Sequence, residues 1–208
     1  MMIRVLALIA FVLAPFNSCF SQYQQPIPRY VGILTPNFNF VAAGQEQDEW
    51  CWAASASMIL RWYGLPITQE MVVERTKGVL IDQPGSDQDI SNALSGWAWS
   101  SNGQARVIKS WTKAGPPLPQ ILIEELSQQH PILLTFISGP NSGHAVVITA
   151  ASFFPTPNGP YIHSIVIRDP WPSPENIANK GRVEIMEQDL ANFLPRVRSH
   201  WLVSVTPN

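Results

Sequence analysis

Charge is scarce in this sequence, and so is cysteine. Only 13% of its 208 residues are Asp, Glu, Lys or Arg, and the formal net charge is −2 at pH 7. No polybasic run occurs, which argues against nucleic acid or an anionic membrane surface as a partner. The two cysteines, Cys19 and Cys51, give no metal-site spacing. No His-x-x-x-His or Glu-rich pattern replaces them, so neither a metal nor another cofactor is expected. Internal repeats, low-complexity tracts and linkers are also missing, so the sequence reads as one domain. Past residue 16, no apolar run approaches the ~18 residues that a membrane span requires.

What is present is enough for a core. With 46% hydrophobic residues in 208, the chain can bury one globular domain and is short for two. Nineteen prolines and eight tryptophans point to long ordered loops packed on aromatic anchors. The opening MMIRVLALIAFVLAPFNSCFSQ has a positive charge at Arg4, an apolar run from Val5 to Phe16, and small residues at Cys19 and Ser21. It reads as a signal peptide, residues 1–21, cleaved before Gln22. The protein is then exported (periplasmic or secreted), with no stable membrane insertion once the signal is removed. A retained anchor and a lipidated Cys19 are the alternatives. Removal of the signal leaves Cys51 as a lone thiol outside the cytoplasm, where such a thiol stands out as reactive.

Residues 22–43, rich in Pro, Asn and Gln, read as an extended lead-in packed on the domain surface, and residues 44–208 as the domain itself. Helical spacing predicts a helix over 52–63, ended by Gly64, so Cys51 falls at a helix start. Further helices are expected over 66–77, where Thr68 is a cap, and over 86–97 and 118–129. The pattern then turns to strands at 131–137, 144–150 and 161–168, separated by the turn sequences SGPNSG and PTPNGP. A short helix at 187–193 and a last strand at 201–205 complete an α+β layout.

Cys51 stands between two tryptophans in QEQDEWCWAAS, after a polar run. A helix N-terminus stabilises a thiolate through its unpaired N–H groups and dipole, and a histidine can hold the displaced proton. Of four histidines, His130, His163 and His200 read as surface or core-edge residues. His144 follows Gly143 at the mouth of a strand. Asp169, 25 residues later (169 − 144), ends the next strand in Arg168-Asp169-Pro170-Trp171 and could orient that ring, with Trp171 as a water shield. Taken alone, Asp169 reads as an Asp-Pro turn residue. In combination these residues make a catalytic constellation.

Cys51-Trp52-Ala53-Ala54-Ser55 resembles the nucleophile segment of papain-like cysteine peptidases, although Glu49 and Trp50 stand where that family has Gly and Ser or Ala. By the same resemblance, Gln45, six residues before Cys51, is the oxyanion donor, with Gln47 as its rival. Gly143-His144 matches the histidine strand. Asp169 stands where papain has Asn, again with a tryptophan two residues on. The Cys-to-His gap of 93 (144 − 51) is shorter than the ~130–150 of papain and cathepsins. This looks more like compact secreted bacterial branches such as staphopains and plant-pathogen effector peptidases.

The resemblance implies a papain-like α+β fold, with a helical N-terminal part carrying the catalytic helix packed on a C-terminal antiparallel sheet. It also implies a Cys-His-Asp triad, an acyl-enzyme, a polypeptide substrate, and a proteinaceous inhibitor as a second candidate partner. The alternatives are an amidase, a transglutaminase-like acyltransferase or a cell-wall peptide hydrolase using the same triad, and an inactive binding module that keeps the fold. No long propeptide is visible between the signal and Gln45.

Overall fold

A computed structural model describes residues 27–101 and 104–207. The expected signal peptide and Cys19 lie outside the described residues. The chain runs β1 (Arg29–Gly32), α1 (Thr35–Asn39), α2 (Cys51–Trp62), α3 (Gln69–Lys77) and α4 (Asp87–Ala93). It continues with β2 (Ala98–Ser101), β3 (Gln104–Ala114), α5 (Pro119–Ser127), β4 (Ile132–Gly139), β5 (Ser142–Thr156) and β6 (Gly159–Arg168). Then come α6 (Pro174–Asn179), β7 (Arg182–Met186), α7 (Glu187–Phe193) and β8 (Val197–Pro207).

All strand pairs are antiparallel, in the order β2-β3-β8-β4-β5-β6-β7. β5 is the spine. β6 lies along one side of it from Val147 to Thr156, while β4 takes the other side from Ser142 to Ile148 and β1 continues that side from Ala150 to Phe153. Residues Ala145 to Ala151 are all buried, because helices cover both sheet faces. Ala145 and Val147 pack with α2, α3 and α4, whereas Val146 and Ile148 pack with α5 and α7, as the two-residue period of a strand requires.

α2 is the central helix. Trp52 through Leu60 are buried without a break, and the small residues Ala53 to Ser57 let the sheet approach closely. Gly64, at φ 89°, turns the chain out of it. Thr68 caps α3 by accepting from the Met71 N–H, and Ser86 and Asp89 form a reciprocal capping box on α4. α4 is shorter than the pattern predicts: Gly96, at φ 74°, breaks it, and its N–H donates to Ile108 O on β3.

Residues 29–43 differ from the expected surface lead-in. β1 extends the sheet, and Ile33 and Phe38 are in the core, at 2% and 0% exposure. The physical reason is that β5 is longer than β4, so its second half offers unpaired backbone that a short strand can satisfy.

Candidate active site

Cys51 is the first residue of α2. Its helix start is not capped by a side chain, and the first intrahelical bond is Ala54 N–H to Trp50 O. The N–H groups ahead of it therefore point out of the helix end, where an anion is stabilised. Cys51 is half-buried, and it opens with Gly143, His144 and Ala145 onto one cavity of about 220 Å³.

His144 enters that cavity from the start of β5. Its Nε2 lies 2.7 Å from Asp169 Oδ1, and the two side chains are only 14% and 23% exposed. Phe136, opposite it on β4, meets the imidazole edge-on at 5.7 Å between centroids. Burial pulls the His144 pKa down. The hydrogen bond and charge of Asp169, with a further hydrogen bond and charge from Cys51, outweigh it and push the pKa up to about 9. The ring is thus an imidazolium at neutral pH. Burial would raise the Asp169 pKa, but the bond and charge of His144, the Trp171 N–H and Asn176 hold it below the usual carboxylate range.

Asp169 sits just past the end of β6, beside the strand that carries His144. Its Oδ1 also accepts the Trp171 N–H at 2.9 Å, so it closes an Asp-Pro turn and orients the imidazole with one oxygen. The same oxygen thus makes the turn bond and the contact with His144. Trp171 acts here through its backbone, and its ring is half exposed. Gly143 is not forced by a close neighbour, since an added Cβ would meet only Phe136 O at 3.7 Å.

Gln45 is placed differently from an oxyanion donor at rest. Its Nε2 donates to Gln47 O at 2.9 Å and Asp48 O at 2.6 Å, bracing the turn that leads into Cys51. Its Oε1 is buried and has no partner among the described residues. The Gln45 backbone N–H donates to Pro170 O at 2.8 Å, tying this turn to the one that holds Asp169. The other histidines are occupied away from the cavity: His130 with Glu125, His163 with Glu187, and buried His200 with Gly115 O.

One contributor is missing from the sequence reading. Ser55, one helical turn after Cys51, donates its hydroxyl to Ala145 O at 3.1 Å in a buried bond. It fastens the cysteine helix to the residue next to His144. A serine four residues after the cysteine, on the same helix face and amid small apolar residues, was the available signal.

A half-buried helix start and the start of β5 thus bring Cys51 and His144 to one cavity, with the Asp169 carboxylate bonded to the ring from the turn after β6, a set suited to acyl transfer. Residues 35–180 match the family model described as papain-like cysteine protease AvrRpt2. The chain belongs to this family. It is a cysteine-type peptidase, and its mixed helix and antiparallel-sheet architecture is the papain-like one. No curated protein matches the peptidase. Among solved structures it resembles the peptidase domain of Streptococcus ComA, a bi-functional ABC transporter involved in a quorum-sensing pathway. That likeness is one of fold: 14% identity, a TM-score of 0.51, and coverage of 80% of this chain and 97% of that one. A double glycine motif protease from an AMS/PCAT transporter, solved with its leader peptide, matches at 18% identity and a TM-score of 0.46, covering 78% and 91% of the two chains.

Among the described residues, no group of three or more His, Cys, Asp or Glu is gathered to hold a metal ion. No helix among them is long and apolar enough to cross a membrane.

Proposed function

We propose that this peptidase is exported and hydrolyses peptide bonds through a Cys51–His144–Asp169 triad and a covalent acyl-enzyme. The 2.7 Å bond from Asp169 to His144, which lines the cavity onto which Cys51 opens, carries this reading. The Cys51 thiolate attacks the scissile carbonyl, and an Sγ–C bond forms as the carbonyl becomes an oxyanion. The Cys51 backbone N–H at the helix start is one donor to that oxygen. Gln45 supplies a second once one of its amide protons leaves the 47–48 turn. The intermediate collapses, the C–N bond breaks, and the leaving amine takes the proton from His144. Water then attacks the thioester, with His144 accepting its proton, and Cys51 is released.

Asp169 keeps Nε2 engaged throughout, so the other ring nitrogen serves the reaction. Export rests on the N-terminal segment, with residues 1–21 removed as a signal, and the substrate is a polypeptide. The test is a cleavage profile on a proteome-derived peptide library, with mass detection of a trapped acyl-enzyme. The wild type should cut peptides and carry an adduct on Cys51, and Cys51→Ala should do neither. Hydrolysis of small amides without any peptide cleavage overturns the proposal in favour of an amidase.

A further inference from the structure

Three residues around the nucleophile each reach the same loop. The indole N–H of Trp50 donates to Ile81 O at 2.9 Å, and that of Trp52 to Gln83 O at 3.1 Å. Between them, the Glu49 backbone N–H donates to Asp82 Oδ1 at 2.9 Å. Residues 80–86 have no helix or strand of their own; these three bonds, with one from Lys77 Nζ to Pro84 O at 3.2 Å, hold this stretch beside Cys51. The loop continues into Pro84 and Gly85, which line the same cavity as Cys51, His144 and Ala145. Gly85 lies so close to the Trp52 ring that an added Cβ would stand 2.5 Å from it. Both tryptophans are buried, at 4% and 1% exposure, so neither ring is free to serve as an open binding surface.

We infer that Trp50, Trp52 and Asp82 are positioning residues for the substrate: they hold the Pro84–Gly85 wall at the distance from Cys51 at which an extended peptide backbone fits. The inference rests on the peptidase reading above and adds what sets the width of its cleft. It also gives a physical reason for tryptophan rather than phenylalanine on both sides of the nucleophile. A phenyl ring fills much of the same core space but has no N–H to donate. The two indoles donate to main-chain carbonyls, whereas the third bond depends on the side chain of Asp82.

Two thiol reagents separate the wall from the nucleophile. Iodoacetamide is too small to need the wall, whereas a peptidyl epoxide must lie along it to reach Cys51. The measurement is the ratio of their second-order inactivation rates for wild type, Trp50→Phe and Asp82→Ala. Asp82 is exposed, so its truncation removes no core packing, and thermal midpoints check both variants. Each variant should lose about three- to tenfold in the epoxide rate, the worth of one positioning hydrogen bond, with the iodoacetamide rate unchanged. On a cleavable peptide the same loss should fall on KM rather than kcat.

If the wild type prefers the epoxide and both variants keep the full preference, the clamp is wrong. Equal losses with the two reagents would place the effect on Cys51 itself and also overturn it. A wild type with no preference for the peptidyl reagent refutes the peptide cleft, and this inference with it.

Discussion

Replacing Asp169 should move the alkaline side of the pH profile. At about 9, the His144 pKa stands about 2.5 pH units above its ordinary 6.5, worth about 3 kcal/mol in favour of the imidazolium. Burial acts against that rise, and Asp169 exceeds Cys51 among the groups that produce it. In Asp169→Ala the pKa should therefore fall back toward its ordinary value. In the proposed mechanism protonated His144 is the acid that frees the leaving amine, so activity should be present below the pKa and be lost as pH rises through it.

A return to ~6.5 leaves the imidazolium about thirtyfold rarer than in wild type at pH 8, but less than about twofold rarer at pH 6. Asp169→Asn should lie between the two, because its side-chain oxygen can still accept from both His144 and the Trp171 N–H while the charge is gone. The assay is kcat/KM against pH on one cleavable peptide for the three proteins, with thermal midpoints alongside. An Asp169→Ala profile whose alkaline limb stays near pH 9 would refute the reasoning. So would a uniform loss at every pH that tracks the thermal midpoint, since Asp169 would then be a turn residue alone.

Gln45→Ala should lower kcat by ~10²–10³ as one oxyanion donor is lost, while Gln47→Ala, whose carbonyl rather than side chain serves the turn, stays near wild type. A crippled Gln47→Ala beside an active Gln45→Ala reverses that assignment in steady-state kinetics. Ser55→Ala removes a buried bond between α2 and β5 and should destabilise the fold by ~1 kcal/mol in denaturant unfolding. It should also slow Cys51 alkylation, because the thiol and the imidazole are no longer fastened together, and Ser55→Thr should recover part of both. An unfolding midpoint unmoved in Ser55→Ala would show the bond to be idle.

Much of the site was legible because its signals are local. The small-residue run after Cys51 and the glycine after Tyr63 mark α2 to within one residue, and Ser86 with Asp89 announces the start of α4. The β-rich segments around His144 and Arg168 place those residues on neighbouring strands without any knowledge of register. β3 was not legible. Of its eleven residues only Ile108 is buried, so it shows no alternation and exists by pairing along β8. β1 depends in the same way on β5, and no property of the four residues RYVG foretells it. The Gln45 side chain was read as a donor into the cleft, whereas its two protons meet the carbonyls of a turn whose shape the sequence does not display.

The seating of β1 also decides what can be joined to the amino end of the folded unit. Arg29 pairs with Phe153, so the amino end of β1 lies toward the end of β5 opposite His144, nine residues away (153 − 144). At ~3.3 Å per residue, that is about 30 Å of strand. A segment attached there must travel back along the whole spine before it can enter the cleft, and anything much shorter than nine extended residues cannot arrive. Self-blocking from that side is therefore a question of tether length.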